Sequence, residues 1–210
     1  VRGPDVLWGG DVRRFHVPPG RFDGVIGGPP CQPFSRLVHI VRANGYEPRH
    51  GNLIPEYERI VSEAQPAWFL MEEAEDAPLP SVDGYGVHAI IMNNRWIGGE
   101  QNRQRRFSLG SRDGRRLLPD VALFEDMQWS PAVTASTGGG RINTKKVHGD
   151  VKTACRLQGL PEDFLDEAPF TMTGKMRVIG NGVPIPMGRA IARAVRRALG
   201  LPILSAEAAV

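Results

Sequence analysis

Cysteine is scarce. Cys31 and Cys155 alone in 210 residues cannot build a disulfide scaffold, so a reducing, cytoplasmic setting is the default expectation. Long apolar runs are missing as well. No stretch of ~18 apolar residues occurs, and neither a membrane-spanning helix nor a secretory leader is expected. Charge of one sign is not in large excess. Lys plus Arg number 26 against 23 Asp plus Glu, a net +3 that permits nucleic-acid binding without demanding it. Repeats and low-complexity tracts are absent. Glycine (25) and proline (18) are plentiful but scattered without a period, which excludes collagen and favours a loop-rich fold. Apolar residues at 41% and charged residues at 23% are ordinary for a soluble globular protein. The length suits one full domain with a small appendage, enough to bury a sizeable core.

Short apolar runs end in turn residues. Val6-Leu7-Trp8 stops at Gly9-Gly10-Asp11, and Phe22-Asp23-Gly24-Val25-Ile26 stops at Gly27-Gly28-Pro29-Pro30. Both read as buried strands. From Leu53 to Glu63 apolar residues recur at three- and four-residue steps, which predicts an amphipathic helix ended by Pro66. Ala67 to Met71 then reads as a buried strand, with further strands at Val87–Met92 and Arg105–Leu109. Strands alternating with helices predict an α/β sheet. Between Ser111 and Asp150 this rhythm breaks, and Gly138-Gly139-Gly140 stands beside the basic Arg141, Lys145 and Lys146. The pattern resumes at Val151 and closes with a helix over Gly188–Leu199. One face of that helix is apolar; the other carries Arg189, Arg193, Arg196 and Arg197. A charged helix face is more often merely solvated than in contact with nucleic acid.

The most unusual stretch is Gly27-Gly28-Pro29-Pro30-Cys31-Gln32-Pro33-Phe34-Ser35. It follows a predicted strand, and ligands of open α/β sheets sit beyond the carboxyl ends of strands. Cys31 is therefore placed for chemistry, although a lone thiol is commonly buried and inert. Cys155 lies in an amphipathic segment with Ala154, Leu157 and Leu160 and reads as a packing residue.

Six segments in order resemble the cytosine-C5 DNA methyltransferases. Pro29-Pro30-Cys31-Gln32-Pro33-Phe34-Ser35 is similar to that family's nucleophile motif. Gly10-Asp11-Val12 resembles the short acidic motif before it. Phe69-Leu70-Met71-Glu72 resembles the strand carrying Glu-Asn-Val, and Gln101-Asn102-Arg103-Gln104-Arg105 the Gln-x-Arg-x-Arg motif. Arg156 to Phe164 resembles the segment after the target-recognition region, and Gly180-Asn181-Gly182-Val183-Pro184 the last motif. The short central insertion is similar to phage and prophage members.

The resemblance implies an α/β, Rossmann-like class I methyltransferase sheet, N-terminally truncated, with a small loop-rich insertion. Residues 1–110 would form part of the catalytic domain, 111–150 a small target-recognition-like insertion, and 151–210 the return to the catalytic domain. It implies transfer of a methyl group from S-adenosylmethionine to C5 of cytosine in double-stranded DNA, with no metal. Cytosine C5 is a poor nucleophile until a thiolate adds at C6; Cys31 is the candidate thiolate. Glu72 is the candidate acid at N3, and the end of an apolar strand predicts a raised carboxyl there. Arg103 and Arg105, two residues apart on an extended segment, would share a face with Gln101. The resemblance assigns Arg105 to the cytosine O2 and Arg103 to ordering the site. Pro30 would offer its carbonyl to the cytosine amino group, with Gln32, Ser35 and Gln101 beside the substrate. Asp11 would meet the donor's adenine, and Asn181, Gly182 and Val183 would line its pocket. The target base would be flipped out of the duplex.

Four departures accompany the resemblance. The Phe-x-Gly-x-Gly donor loop with which the family opens has no counterpart. An upstream segment, a second chain supplying the motif, or a weakened donor site would each account for this. Glu73 stands where the family has Asn, so the register could place Glu73 in the acid's position. Thr153 replaces a structural Glu. An insertion of this length predicts a short or relaxed recognition sequence. The competing functions are a catalytically silent relative that binds nucleic acid or a partner, an RNA cytosine methyltransferase, and an unrelated Cys enzyme of thymidylate-synthase type.

Overall fold

The computed structural model of the chain describes residues 10–30, 34, 43, 45, 51–122, 129–135 and 150–203. The strand expected at Val6–Trp8, the residues Cys31, Gln32 and Ser35, and the cluster of Arg141, Lys145 and Lys146 lie outside them. Two compact units emerge. One comprises Gly10–Met92, Gln104–Leu118 and Ala194–Val210; the other comprises Val1–Gly9, Asn93–Arg103 and Pro119–Arg193.

The first unit is built on a mixed α/β sheet, as expected. Its strands are β1 (Gly24–Gly27), β2 (Trp68–Glu73), β3 (Gly86–Asn93) and β5 (Gln104–Ser111), in the order β1-β2-β5-β3. β1 and β2 are parallel, with Val25 opposite Phe69 and Gly27 opposite Met71. β2 and β5 are antiparallel, with Phe69 opposite Gly110 and Glu73 opposite Arg106. Helix α1 (Ile54–Ala64) connects β1 to β2. Pro55 sits in its first turn, where the missing N–H costs nothing, and Gln65 ends it in a left-handed conformation just before Pro66. Its apolar stripe of Ile54, Tyr57 and Val61 packs on Phe69 and Met71, the residues that alternation turns to one face of β2. The Tyr57 ring meets Phe69 edge-on at 6.0 Å.

The second unit holds β4 (Gln101–Asn102) paired in parallel with β6 (Ser130–Pro131), and helices α2 (Val151–Leu157) and α3 (Met172–Asn181). Its core gathers Val133, Ala154, Cys155, Leu157, Met176 and Ile179. Asp150 caps α2 by accepting from the Thr153 amide at 2.6 Å, so threonine is well used at that position. Helix α4 (Ile185–Ala198) is the last regular element among the described residues. Val133, from the expected insertion, is buried with residues of α2 and α3. No helix among the described residues is long and apolar enough to cross a membrane.

Candidate active site

Alternation along β2 separates two neighbouring carboxylates. Glu73 shares a face with Phe69 and Met71, on the α1 side, and is 1% exposed. Its Oε2 accepts from the Ala74 amide at 3.1 Å, while Oε1 is buried with no hydrogen-bond partner among the described residues. Burial pushes its carboxyl up to about 7, with the adjacent Glu72 charge adding to the rise. The raised carboxyl expected at the end of this strand is thus found at Glu73.

Glu72 faces the other way. It pairs with Arg105, Oε1 to Nε at 2.9 Å, and both side chains are about one-fifth exposed. Arg105 also donates to the Gln104 carbonyl at 2.7 Å. The backbone at Gly28, three residues before Cys31, comes up against the same carboxylate. A Cβ there would lie 3.1 Å from Glu72 Oε2 and 3.5 Å from the Glu72 carbonyl. Glycine in this loop thus lets the chain leading to the cysteine approach a carboxylate. Pro30, half-buried, follows two residues later.

Gln101, Arg103 and Arg105 do not form one extended run. The Arg103 amide donates to the Gln101 carbonyl at 3.1 Å, a tight turn that interrupts the strand between β4 and β5. Gln101 and Arg103 are buried in the second unit, while Arg105 belongs to the first. The Gln101 amide nitrogen donates to the Leu157 carbonyl at 2.6 Å and to Gln158 Oε1 at 3.0 Å, and its oxygen accepts from the Val133 amide at 3.1 Å. These three bonds turn Gln101 towards the interior, away from the substrate contact expected of it. Arg103 donates to the carbonyls of Val133 (2.7 Å), Gly180 (3.0 Å) and Gly182 (3.0 Å). Such a residue orders a loop and is not placed to stabilise a reacting base.

Asn181 ends α3 exposed; Gly182 and Val183 follow it, half-buried. The loop is fixed by Arg103 and by Gln158, whose amide nitrogen reaches the Ile179 carbonyl and, at 3.3 Å, that of Gly182. Gly180 must be glycine, since a Cβ there would collide with the Thr134 and Ala135 backbone. Gln158 lies within a segment the sequence singled out, but its bracing role depends on folded neighbours and carries no local signature.

In the first unit Asp11 caps the turn Val12–Arg14, accepting from the Arg13 amide at 3.1 Å and from its guanidinium at 2.7 Å. The Arg13 guanidinium first, then its amide, holds the carboxyl down at about 2. An ionised acceptor of this kind fits the amino group of an adenine. Arg59 anchors the turn, donating to the carbonyls of Val12 (2.9 Å) and Phe15 (3.0 Å) while pairing with Glu56 and Glu63 of α1. The three- and four-residue spacing of Glu56, Arg59 and Glu63 is the signal that could have found it.

Residues 9–76 match the family described as C-5 cytosine-specific DNA methylase. A type II methyltransferase of Herpetosiphon aurantiacus, M.HgiDI, is 33% identical over 100 residues, covering 43% of this chain and 31% of the relative. The orphan methyltransferase M.SPRI of Bacillus phage SPR is 28% identical over 170 residues, covering 70% of this chain and 36% of the relative. The chain thus spans about a third of the length of these relatives. Among solved structures, the Entamoeba histolytica methyltransferase EhMeth superposes with a TM-score of 0.59 at 12% identity, covering 84% of this chain and 78% of that one. That likeness speaks for the fold: a methyltransferase-type α/β sheet. Residues 9–76, with the ordered motifs that continue beyond them, are thus similar to the cytosine-C5 DNA methyltransferases.

Proposed function

We propose that this protein transfers a methyl group from S-adenosylmethionine to C5 of cytosine in double-stranded DNA, through a covalent adduct of Cys31 at C6. The observation that carries the reading is Glu72, set at the carboxyl end of β2 against the loop leading to Cys31 and paired with Arg105. A carboxylic acid and a guanidinium side by side suit the N3/O2 edge of cytosine. The Cys31 thiolate adds to C6 and charge moves towards N3 and O2. A proton drawn from solvent passes through Glu72 to N3, and Arg105 donates to O2. S-adenosylmethionine supplies an electrophilic methyl when bound and leaves as the thioether. A base then removes the C5 proton and the Cys31 thiolate is expelled.

Asp11, Asn181, Gly182 and Val183 are the residues proposed to hold the donor. Arg103 and Gln101 act by holding the Asn181 loop and the strand before Arg105. Gln32, Ser35 and the Pro30 carbonyl are proposed at the base. Duplex DNA is the partner. A partner chain bearing a Phe-x-Gly-x-Gly loop is the further one this reading admits, and adding such a chain would then strengthen donor binding. Recognition is expected to be short or relaxed in sequence, which bisulfite sequencing of methylated plasmid reads directly; a long unique site would contradict it.

Glu73 supports a second reading, because its carboxyl near 7 is well tuned for a general acid. Its burial argues against it, since strand alternation turns its side chain away from the paired Glu72 and Arg105. Methyl-transfer assays on cytosine-containing duplexes decide. Cys31→Ala abolishes transfer. Glu72→Gln lowers it by about 10²–10⁴-fold, whereas Glu73→Gln retains it. The reverse ranking of the two glutamates would install Glu73 as the acid, and full activity of the alanine variant would end the adduct mechanism.

A further inference from the structure

Three consecutive side chains of β5 grip the carboxyl end of β2. Arg105 pairs with Glu72 on one face of the sheet. Gln104 and Arg106 leave the other face, and both reach the loop that follows β2. The Gln104 amide nitrogen donates to Glu75 Oε2. Arg106, half-buried, donates to the Glu75 carbonyl at 2.9 Å and to the Pro78 carbonyl at 3.0 Å. All of these residues belong to the first unit.

Arg106 holds neutral carbonyls although a carboxyl stands directly across the ladder from it. Glu73 is its partner in the antiparallel register, so the two side chains leave the same face. They make no ion pair among the described residues. Glu73 Oε1 and Arg106 Nε are each buried without a hydrogen-bond partner there. An acceptor and a donor are thus left over on facing positions of one strand pair. A neutral Glu73 explains why they stay apart, since a buried carboxylate would draw the guanidinium to it. Burial, ahead of the Glu72 charge, pushes the Glu73 carboxyl up to about 7; the Ala74 amide and the charges of Arg105 and Arg106 pull it back. Asp76 is the other carboxylate whose charge reaches Arg106. On the α1 side the titratable group is Tyr57, which burial pushes up and which donates to the Val25 carbonyl, so it stays neutral.

We infer that Arg106 is a positioning residue for methyl transfer: by holding the loop after β2 it fixes the Glu72–Arg105 pair, and Glu73 governs that hold. The inference rests on the roles proposed for Glu72 and Arg105. Glu72 is followed within three residues by the carbonyl that Arg106 binds, and Arg105 is the neighbour of Arg106 in sequence. A loosened loop therefore disturbs both members of the pair. When Glu73 is neutral, the guanidinium keeps the Glu75 and Pro78 carbonyls. When Glu73 ionises, its Oε1 and the Nε of Arg106 become complementary charges, and the loop loses its donors.

The test measures methyl transfer to a cytosine-containing duplex at saturating S-adenosylmethionine, from about pH 6 to 9. The proteins are the parent, Arg106→Met, Arg106→Lys and Glu73→Gln, with circular dichroism checking each fold. Arg106→Met should lower kcat by up to about 10²-fold while KM for the duplex stays the same, and Arg106→Lys should recover part of the loss. The ratio of the Glu73→Gln rate to the parent rate should be flat below pH 7 and rise above it, because glutamine cannot ionise. Taking the ratio cancels the titration of Cys31. Hydrogen exchange over residues 74–80, which needs no turnover, should be faster in Arg106→Met than in the parent. Unchanged exchange in that variant overturns the proposal, as does a rate ratio that is constant with pH. If Arg106→Met does not fold, the Glu73→Gln ratio decides. Glu72→Gln separates the two readings: intact kcat in Arg106→Met beside an inactive Glu72→Gln ends the positioning role alone, whereas full transfer by Glu72→Gln ends both.

Discussion

Glu72 and Glu73 are adjacent in sequence and opposite in environment, because successive side chains of a strand leave opposite faces. One is paired with Arg105 and about one-fifth exposed; the other is 1% exposed. A carboxyl raised to about 7 in the folded state and near its ordinary 4.5 when unfolded makes stability depend on pH. Between those values the folded chain holds a proton that the unfolded chain has lost. The contribution is therefore fully present below about pH 4.5 and lost as pH rises through 7. Glu73→Gln, which cannot ionise, should raise stability at pH 8 by at most about 3 kcal/mol. The gain should shrink towards zero in acid. Thermal unfolding of both proteins across pH measures this; a gain independent of pH would show that ionisation of Glu73 is not its source. The presence of two glutamates was legible in the sequence. Which of them is buried was not, since that depends on which face of the strand the rest of the fold covers.

At the scale of elements, the loop after α3 is positioned from a distance. Arg103 holds the carbonyls of Val133, Gly180 and Gly182, residues far from it in sequence. Arg103→Met would leave these carbonyls without their donor and should cost about 3–5 kcal/mol of stability. It should also weaken S-adenosylmethionine binding if the Asn181 loop lines the donor site. Arg103→Lys, able to reach fewer carbonyls, should fall between. Chemical denaturation and calorimetric titration read the two effects separately. Gly180→Ala should damage the same loop by collision with Thr134 and Ala135; donor affinity equal to the parent's would contradict this. The elements themselves were largely legible. Predicted helix Leu53–Glu63 is observed as Ile54–Ala64, and the strand read at Ala67–Met71 as Trp68–Glu73. The interruption at Arg103 was not legible, because alternating polar residues there look like any exposed strand.

At the scale of the molecule, two units divide the chain, and each draws on separated segments. Residues 93–103 leave the sheet between β3 and β5 to join the second unit, which is why one motif supplies both Arg103 and Arg105. Donor binding is the property that tests the whole chain. Calorimetric titration with S-adenosylmethionine should give micromolar binding, weakened by Asp11→Ala and competed by S-adenosylhomocysteine. Absence of heat with either ligand would mean that the residues assigned to the donor do not suffice by themselves.

The order of short motifs, from Gly10-Asp11-Val12 through Pro30-Cys31 to Gly180-Asn181-Gly182, was enough by itself to show the resemblance to the cytosine-C5 DNA methyltransferases that the match over residues 9–76 repeats. Local patterns report local chemistry: a turn residue, a strand end, an amphipathic stripe. Tertiary structure alone decided the division of labour among the polar residues. It turned Gln101 and Arg103 inward and set Glu72 rather than Glu73 beside Arg105. Those outcomes depend on which long-range neighbours satisfy a buried carbonyl or cover a carboxylate, and no stretch of sequence contains both members of such a pair.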